Sequence, residues 1–178
     1  MLDVLGNLEK THSCGELREA NVGEQVVLMG WVARKREHPA KTFVDLRDRD
    51  GITQIYFGED ISSEVYAKAK NLKGEYVIAV KGEVVARDEA AKNHKIPTGE
   101  IEIKAKELLI LNDAKTLPFE LETQGSQNLA SEDLRLKYRY LDLRRPQLSH
   151  NIRMRAKAVK EIRNYMDNLD FTEIETPI

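Results

Sequence analysis

The chain has 178 residues, of which 28 are Lys or Arg, 30 are Asp or Glu and one is Cys. A chain of this length forms one ordinary domain, or one small domain and part of another. The lone Cys14 excludes an intramolecular disulfide scaffold and a cysteine-ligated zinc site, which predicts a protein of a reducing, cytoplasmic compartment. No window approaches the roughly 18 apolar residues of a membrane-spanning helix, so we expect no membrane association.

The net charge of −2 conceals an uneven distribution of charge. Residues 134–163 contain ten Lys or Arg and two acidic residues, so this window carries +8 and the remainder of the chain −10. Such asymmetry allows a nearly neutral chain to present a surface that binds a polyanion.

Alternation of apolar and polar residues predicts five strands in the first part of the chain. They cover residues 25–36, 42–48, 52–57, 76–87 and 98–111. Asp50-Gly51 separates the second and third strands, and this dipeptide is a strong indication of a hairpin turn. A turn centred there sets Arg47 opposite Gln54 and places Gln54 on one polar face with Phe43.

A single helix is predicted over residues 60–72, between the third and fourth strands, where Asp60 can cap its first turn and Gly74 follows its end. Three strands, a helix and two strands form the element order of the OB-fold. This five-stranded barrel binds oligonucleotides on the face of its second and third strands and in neighbouring loops. We therefore expect a mainly β, OB-fold domain over residues 1–111.

The second part of the chain has a different pattern. Residues 112–133 lose periodicity and collect Pro, Gly, Ser and Asn, which predicts a linker or hinge. A long helix is predicted over residues 148–169, and alternation in residues 171–175 predicts a strand that Pro177 ends. One helix and one strand cannot enclose a core. We therefore expect residues 134–178 to be an incomplete α+β unit, completed by later chain or by another subunit.

No motif in the sequence predicts a catalytic or metal site within this segment. Binding is better supported, because the charged strand neighbours of Phe43 favour an exposed ring on which a nucleobase can stack. Gln54 carries donor and acceptor groups that can pair with a base edge, and Arg36 can neutralise a phosphate. Glu102 is either a base reader or distant from RNA. Ordinary alternatives remain at this point: a core position for Phe43, and a solvated surface for the polar residues.

Five sequence runs carry a resemblance to a known family. They are GWVARKRE (30–37), FVDLRDRDGITQIYF (43–57), TGEIEI (98–103), RLKYRYLDLRRP (135–146) and FTEIETPI (171–178). In this order and spacing, they closely resemble the N-terminal part of the bacterial-type aspartyl-tRNA synthetases, which are class II enzymes. The related lysine and asparagine synthetases share the barrel, but the second and fourth runs together are most similar to the aspartate enzymes.

The resemblance implies that residues 1–111 are an anticodon-binding domain. Phe43 matches the aromatic residue that stacks on the anticodon, Gln54 a glutamine that reads a base edge, and Glu102 the acid that recognises the first anticodon base. The full set implied in anticodon binding is Arg36, Phe43, Gln54, Arg87 and Glu102. His38 lies where the family differs between enzymes specific for tRNA(Asp) and enzymes that also charge tRNA(Asn), and it resembles the tolerant type.

The run at residues 171–178 resembles motif 1 of class II synthetases, which forms the homodimer interface and would include Phe171 and Pro177. The parent enzyme would activate aspartate with ATP and magnesium and transfer it to tRNA(Asp). The residues that hold these groups would all lie beyond Ile178, so the resemblance predicts a segment that binds tRNA without catalysing the reaction. Two other hypotheses stay open: a stand-alone OB-fold protein that binds single-stranded nucleic acid, and a lysine or asparagine relative.

Overall fold

The computed structural model describes residues 2–59, 61–121 and 129–177. The chain divides into two compact units, Met1–Thr116 and Leu117–Ile178. Asp60, the expected helix cap, and residues 122–128 of the predicted linker lie outside the described residues.

The first unit is built from five strands that close into a barrel. They are β1 (Gln25–His38), β2 (Lys41–Arg47), β3 (Ile52–Gly58), β4 (Val77–Ala86) and β5 (Ile101–Asn112), with helix α1 (Ser63–Lys70) between β3 and β4. The strand order around the ring is β1-β2-β3-β5-β4, and β4 pairs with β1 to close it. Only the contact between β3 and β5 is parallel among the described pairings. The predicted OB-fold is confirmed.

The barrel interior is filled by alternate residues of every strand. Val44, Ile55 and Ile103 are completely buried, whereas the residues on either side of Val44 and of Ile103 are partly exposed. Helix α1 covers part of this core, with Ala69 buried and Val65 packed against the cluster. The alternation of side chains along each strand therefore determines which residues lie on the outer face of the barrel.

Two glycines lie where strands approach each other too closely for a side chain. A Cβ on Gly82 would come within 2.5 Å of the Lys104 carbonyl oxygen, and one on Gly30 would collide with the Arg47 carbonyl oxygen. A shift in strand register lies next to Gly82, between Lys81 and Gly82. Glycine at these positions allows neighbouring strands to pack closely as the barrel curves.

The β2–β3 turn differs from the sequence prediction. Arg47 pairs with Ile52 and Asp45 pairs with Gln54, so the loop contains the four residues 48–51 rather than two. The predicted pairing of Arg47 with Gln54 is wrong because Asp48 organises the loop: its Oδ1 accepts the backbone N–H of Asp50 at 2.8 Å and of Gly51 at 3.1 Å. The register moves by two residues, so each side chain keeps its predicted face.

The second unit contains three described helices, α2 (Glu132–Lys137), α3 (Arg139–Asp142) and α4 (Pro146–Asp167). Helix α4 begins with a proline, which has no backbone N–H. The first turn tolerates it because an N–H at that position would have no partner within the helix. The strand predicted at residues 171–175 is absent from the described structure. All of residues 171–177 are exposed, and an extended segment needs a neighbouring strand before it can form a ladder. No helix in the described residues is long and apolar enough to cross a bilayer.

A buried carboxylate organises the short helices of this unit. Asp142 has no exposed surface, and it pairs with Arg139 at 2.8 Å, Arg145 at 3.2 Å and Arg135 at 3.8 Å. A buried charge is stable only when it is paired, and three guanidiniums meet that requirement here. Part of the +8 window therefore has a structural role.

Candidate nucleic-acid interface

Four of the predicted anticodon-binding residues, Arg36, Phe43, Gln54 and Glu102, lie on the outer face of β1, β2, β3 and β5. Pairing across the strands aligns Arg36 with Phe43, Phe43 with Tyr56, and Tyr56 with Lys104. A second row aligns Asp45 with Gln54. Because interior residues alternate with these positions, the barrel presents both rows on one surface.

Four polar side chains on this face form a chain of hydrogen bonds that runs from a carboxylate through a guanidinium and an amide to a second carboxylate. Arg36 Nη2 donates to Asp45 Oδ1 at 2.7 Å and to Gln54 Oε1 at 2.8 Å. Gln54 Nε2 donates to Glu102 Oε2 at 2.6 Å. Since Gln54 is only 8% exposed and bonded at both ends of its amide, its orientation is fixed before any ligand arrives.

An aromatic cluster lies beside this polar chain. The Phe43 ring is half-buried, and its centroid is 5.6 Å from that of Tyr56 and 5.7 Å from that of His38. The His38 ring meets Phe43 edge-on, at an interplanar angle of 82°. These contacts hold the Phe43 ring in place, as a surface for stacking a base requires.

Sequence reasoning did not include Tyr56 and Asp45 among the site residues. Tyr56 follows Gln54 by two positions, so strand alternation already places it on the same face. Asp45 is one of the charged strand neighbours of Phe43, but its ion pair with Arg36 depends on the register between β1 and β2. Strand alternation alone is therefore enough to place Tyr56 on the face, but it does not predict the ion pair of Asp45.

Arg87 occupies a different environment from the other predicted residues. It follows β4, is 8% exposed, and donates from Nε to the Ile101 carbonyl oxygen at 2.8 Å. Burial lowers the pKa of the Arg87 guanidinium, while the nearby Glu102 and Asp45 carboxylates oppose that shift. Arg87 is thus brought to the charged cluster but lies largely out of contact with solvent.

Arg36 and Lys35, at the end of β1, point to different parts of the first unit. Arg36 joins the outer face, whereas Lys35 Nζ donates to the Lys70 carbonyl oxygen at the end of α1 and pairs with Glu37 at 2.7 Å. Arg47, on the same strand as Phe43, is paired with Glu75 at 2.8 Å. The positive charge offered to a ligand is therefore more focused than the sequence suggests.

The two residues predicted for a subunit interface lie in the second unit. Phe171 is 61% exposed and Pro177 is also exposed. Helix α4 is exposed along most of its length, and its apolar side chains share that exposure; they are Ile152, Val159, Ile162 and Met166. The apolar side chains of this helix are thus accessible on the surface of the second unit.

The first unit has the chemistry of a binding surface. An aromatic ring, an amide, a carboxylate and a guanidinium lie side by side, which provides stacking, base-edge pairing and charge neutralisation. The described residues contain no group of three or more His, Cys, Asp or Glu side chains placed to hold a metal ion.

Family models match both units. Residues 26–111 match the OB-fold nucleic acid binding domain, and residues 131–178 match the tRNA synthetases class II (D, K and N). The second match argues against a stand-alone OB-fold protein, because such a protein would lack this class II sequence.

The curated relatives that the chain resembles are full synthetases. It is 52% identical over 177 residues to the aspartate–tRNA(Asp/Asn) ligase of Acidobacterium capsulatum, covering 99% of this chain and 28% of the relative. The corresponding ligase of Desulfotalea psychrophila is 49% identical over 178 residues, with 100% and 29% covered. This chain therefore spans less than a third of the length of these relatives.

A solved structure shows the same likeness. The asparaginyl-tRNA synthetase of Pyrococcus horikoshii, complexed with asparaginyl-adenylate, matches with a TM-score of 0.79 and 27% identity, over 96% of this chain and 37% of that protein. The fold and both family matches define the class of this segment: an OB-fold nucleic acid binding domain followed by sequence of the class II tRNA synthetases (D, K and N). Within that class, the two curated relatives that are 52% and 49% identical to the chain are aspartate–tRNA(Asp/Asn) ligases.

Proposed function

We propose that this chain recognises the anticodon loop of tRNA on behalf of an aspartate–tRNA ligase. Residues 1–111 would be the anticodon-binding domain, 112–133 the hinge, and 134–178 the opening of the catalytic domain. The observation that carries the proposal is the bonded chain from Asp45 to Glu102 beside the Phe43 ring. Its groups match an unstacked base better than they match a phosphate backbone alone.

Glu102 is the proposed reader of the first anticodon base. The anticodons of tRNA(Asp) and tRNA(Asn), GUC and GUU, both begin with guanine, whose Watson–Crick edge presents two adjacent donors, N1–H and N2–H. A carboxylate has about four acceptor sites, and the bond from Gln54 engages one of them. Phe43 would stack on a neighbouring base, Gln54 would pair with a base edge, and Arg36 would add positive charge. Arg87 completes the proposed set as a buried residue.

We also propose that the parent enzyme charges both tRNA(Asp) and tRNA(Asn). Its relatives carry both tRNAs in their names, and the two anticodons differ only in the third base. His38 is the proposed specificity residue. Its edge-on contact with Phe43 connects the β1–β2 hairpin to the stacking surface, where it can influence how a neighbouring base is seated.

The reaction itself is proposed for the full-length protein. Class II membership implies the use of ATP, and we propose that aspartate is activated with ATP and magnesium before transfer to tRNA in the cytoplasm. Phe171 and Pro177 would contribute to a homodimer interface through motif 1. The part proposed for this segment in the reaction is to hold and orient tRNA.

The proposal is tested by titrating the chain with RNA stem-loops at fixed salt. Loops carrying GUC and GUU should bind with similar affinity, whereas changing the first base should weaken binding by about 1–3 kcal/mol. A preference for the UUU loop of tRNA(Lys) would favour the lysine relative instead. Equal affinity for all loops, with strong salt dependence, would indicate a non-specific binder of single strands and would refute the proposal.

A further inference from the structure

Arg87 contacts the backbone immediately before Glu102. Its side-chain Nε donates to the Ile101 carbonyl oxygen at 2.8 Å, and its backbone N–H donates to the Glu100 carbonyl oxygen at 2.9 Å. Strand pairing sets Val85 opposite Glu102 and Ala86 opposite Ile101. The end of β4 therefore clamps the start of β5 at the residues that carry the base-reading carboxylate.

The charge of Arg87 is also placed to act on Glu102. The guanidinium interacts electrostatically with Glu102 and Asp45, and with Arg36 in the opposite sense. Its Nη2 is enclosed and finds no acceptor within the part of the chain that the structure describes. A carboxylate that faces RNA is repelled by the phosphates, and a nearby buried cation in low dielectric reduces that repulsion.

Direct phosphate binding by Arg87 fits the structure poorly. Only 8% of Arg87 is exposed, whereas the Arg36 side chain is 38% exposed and Arg34 is exposed to solvent. Burial thus separates Arg87 from the exposed arginines of the same face.

We propose that Arg87 is a positioning residue that sets the geometry and the local field of Glu102, and that it does not bind a phosphate of the RNA. The inference rests on the proposed function and specifies how its first-base reading is achieved. Arg87 and Glu102 should therefore behave as one unit in recognition, while Arg34 should behave as an independent phosphate contact.

The test uses Arg87→Met and Arg87→Lys in the complete 178-residue chain, with stem-loops that do or do not carry guanine at the first anticodon position. Arg87→Met should reduce the preference for guanine about tenfold and leave the salt dependence of binding unchanged. Arg87→Lys should restore most of that preference, because lysine keeps the charge and can donate to the Ile101 carbonyl. Circular dichroism verifies the fold of each variant.

Two further variants separate a positioning role from direct contact. Glu102→Gln removes the reading charge, so Arg87→Met should change the preference for guanine little in that background. Arg34→Met, as the matched exposed control, should weaken all sequences equally and reduce the salt slope by about one. Additive effects of Arg87→Met and Glu102→Gln, or a lowered salt slope in Arg87→Met, would overturn the proposal.

Amide hydrogen exchange without RNA tests the clamp by itself. Arg87→Met should accelerate exchange at residues 100–103 and leave the β1–β2 amides unchanged, whereas unchanged exchange at residues 100–103 would overturn the proposal. A wild-type chain without base preference would refute anticodon reading and, with it, the recognition role of Arg87. The exchange result would still show whether Arg87 orders the start of β5.

Discussion

The side-chain amide of Gln54 donates to the carboxylate of Glu102 across 2.6 Å, and this bond links β3 to β5. The contact follows from the parallel register, since Ile55 pairs with Ile103 and the preceding residue of each strand lies alongside. Arg36 holds the other end of the Gln54 amide. The amide thus has one defined orientation, in which its donor faces an acid and its acceptor faces a cation.

Gln54→Glu would remove the hydrogen bond that the Gln54 amide donates to Glu102. A second carboxylate beside Glu102 replaces a donor with a repelling group, and we expect the affinity for a GUC stem-loop to fall by about 1.5–3 kcal/mol. Fluorescence anisotropy at fixed salt measures the change.

Gln25→Glu is the matched control for that experiment. Gln25 Nε2 also donates to a glutamate, Glu83 Oε2, at 3.1 Å, but it lies on the β1–β4 side of the barrel. This control should leave the affinity nearly unchanged. Similar losses in both variants would show that net charge, and not the Gln54–Glu102 contact, determines RNA binding.

Phe43→Ala should weaken binding of the same stem-loop by about 1–3 kcal/mol, the range for one stacked base. Phe43→Tyr should retain most of the affinity, because it keeps the aromatic face that contacts the base. Equal binding by wild type and Phe43→Ala would remove the stacking role from the account.

Asp48 should make the stability of the first unit depend on pH. Burial alone would raise its pKa, but hydrogen bonds from Lys10, Cys14 and Asp50 outweigh burial and lower the pKa below the ordinary value of 3.8. A group with a lowered folded-state pKa stabilises the fold above its unfolded pKa, and this stabilisation is lost as the pH falls through the folded pKa.

The Asp48→Asn variant tests that contribution. It should lower the free energy of unfolding at pH 7 by about 2–3 kcal/mol, because several bonds to a charged acceptor are weakened. Urea unfolding of both proteins should show the difference shrinking below about pH 4. A difference that stays constant down to pH 2 would contradict the assignment.

Asp142→Asn should destabilise the second unit by about 2–4 kcal/mol. The neutral amide cannot balance the guanidiniums of Arg139 and Arg145, which would remain packed around it. Hydrogen exchange across residues 132–142 should accelerate in this variant. Asp133→Asn, an exposed change on the neighbouring helix, should have little effect, and equal acceleration in both would contradict a specific role for Asp142.

The barrel and its polar face could be predicted because strand alternation is a local property. Phe43 and Gln54 were placed on one face correctly even though the predicted turn was wrong, since a two-residue register shift preserves the side-chain phase. The turn itself depends on Asp48, which also accepts the N–H of Cys14 from a segment 34 residues earlier. The turn preferences of residues 48–51 alone cannot predict this contact, because Cys14 is distant in the sequence.

Other features depend on contacts that a sequence pattern does not contain. The burial of Arg87 comes from its packing against β5, whereas the family resemblance implied only that this position takes part in anticodon binding. The expected strand at residues 171–175 has the right alternation but no neighbouring strand in the described residues. Alternation indicates how a segment can pair, whereas formation of the strand requires a partner.

The central claim is that RNA binds to the face of β1, β2, β3 and β5 that carries Phe43, Gln54 and Glu102. An NMR titration of the chain with a GUC stem-loop tests it most directly, through the Gln54 side-chain amide and the backbone amides of Phe43 and Glu102. These signals should shift while those of Gln25 and Glu83 stay in place. Shifts confined to the β1–β4 side, or equal shifts with a loop of unrelated sequence, would contradict the claim.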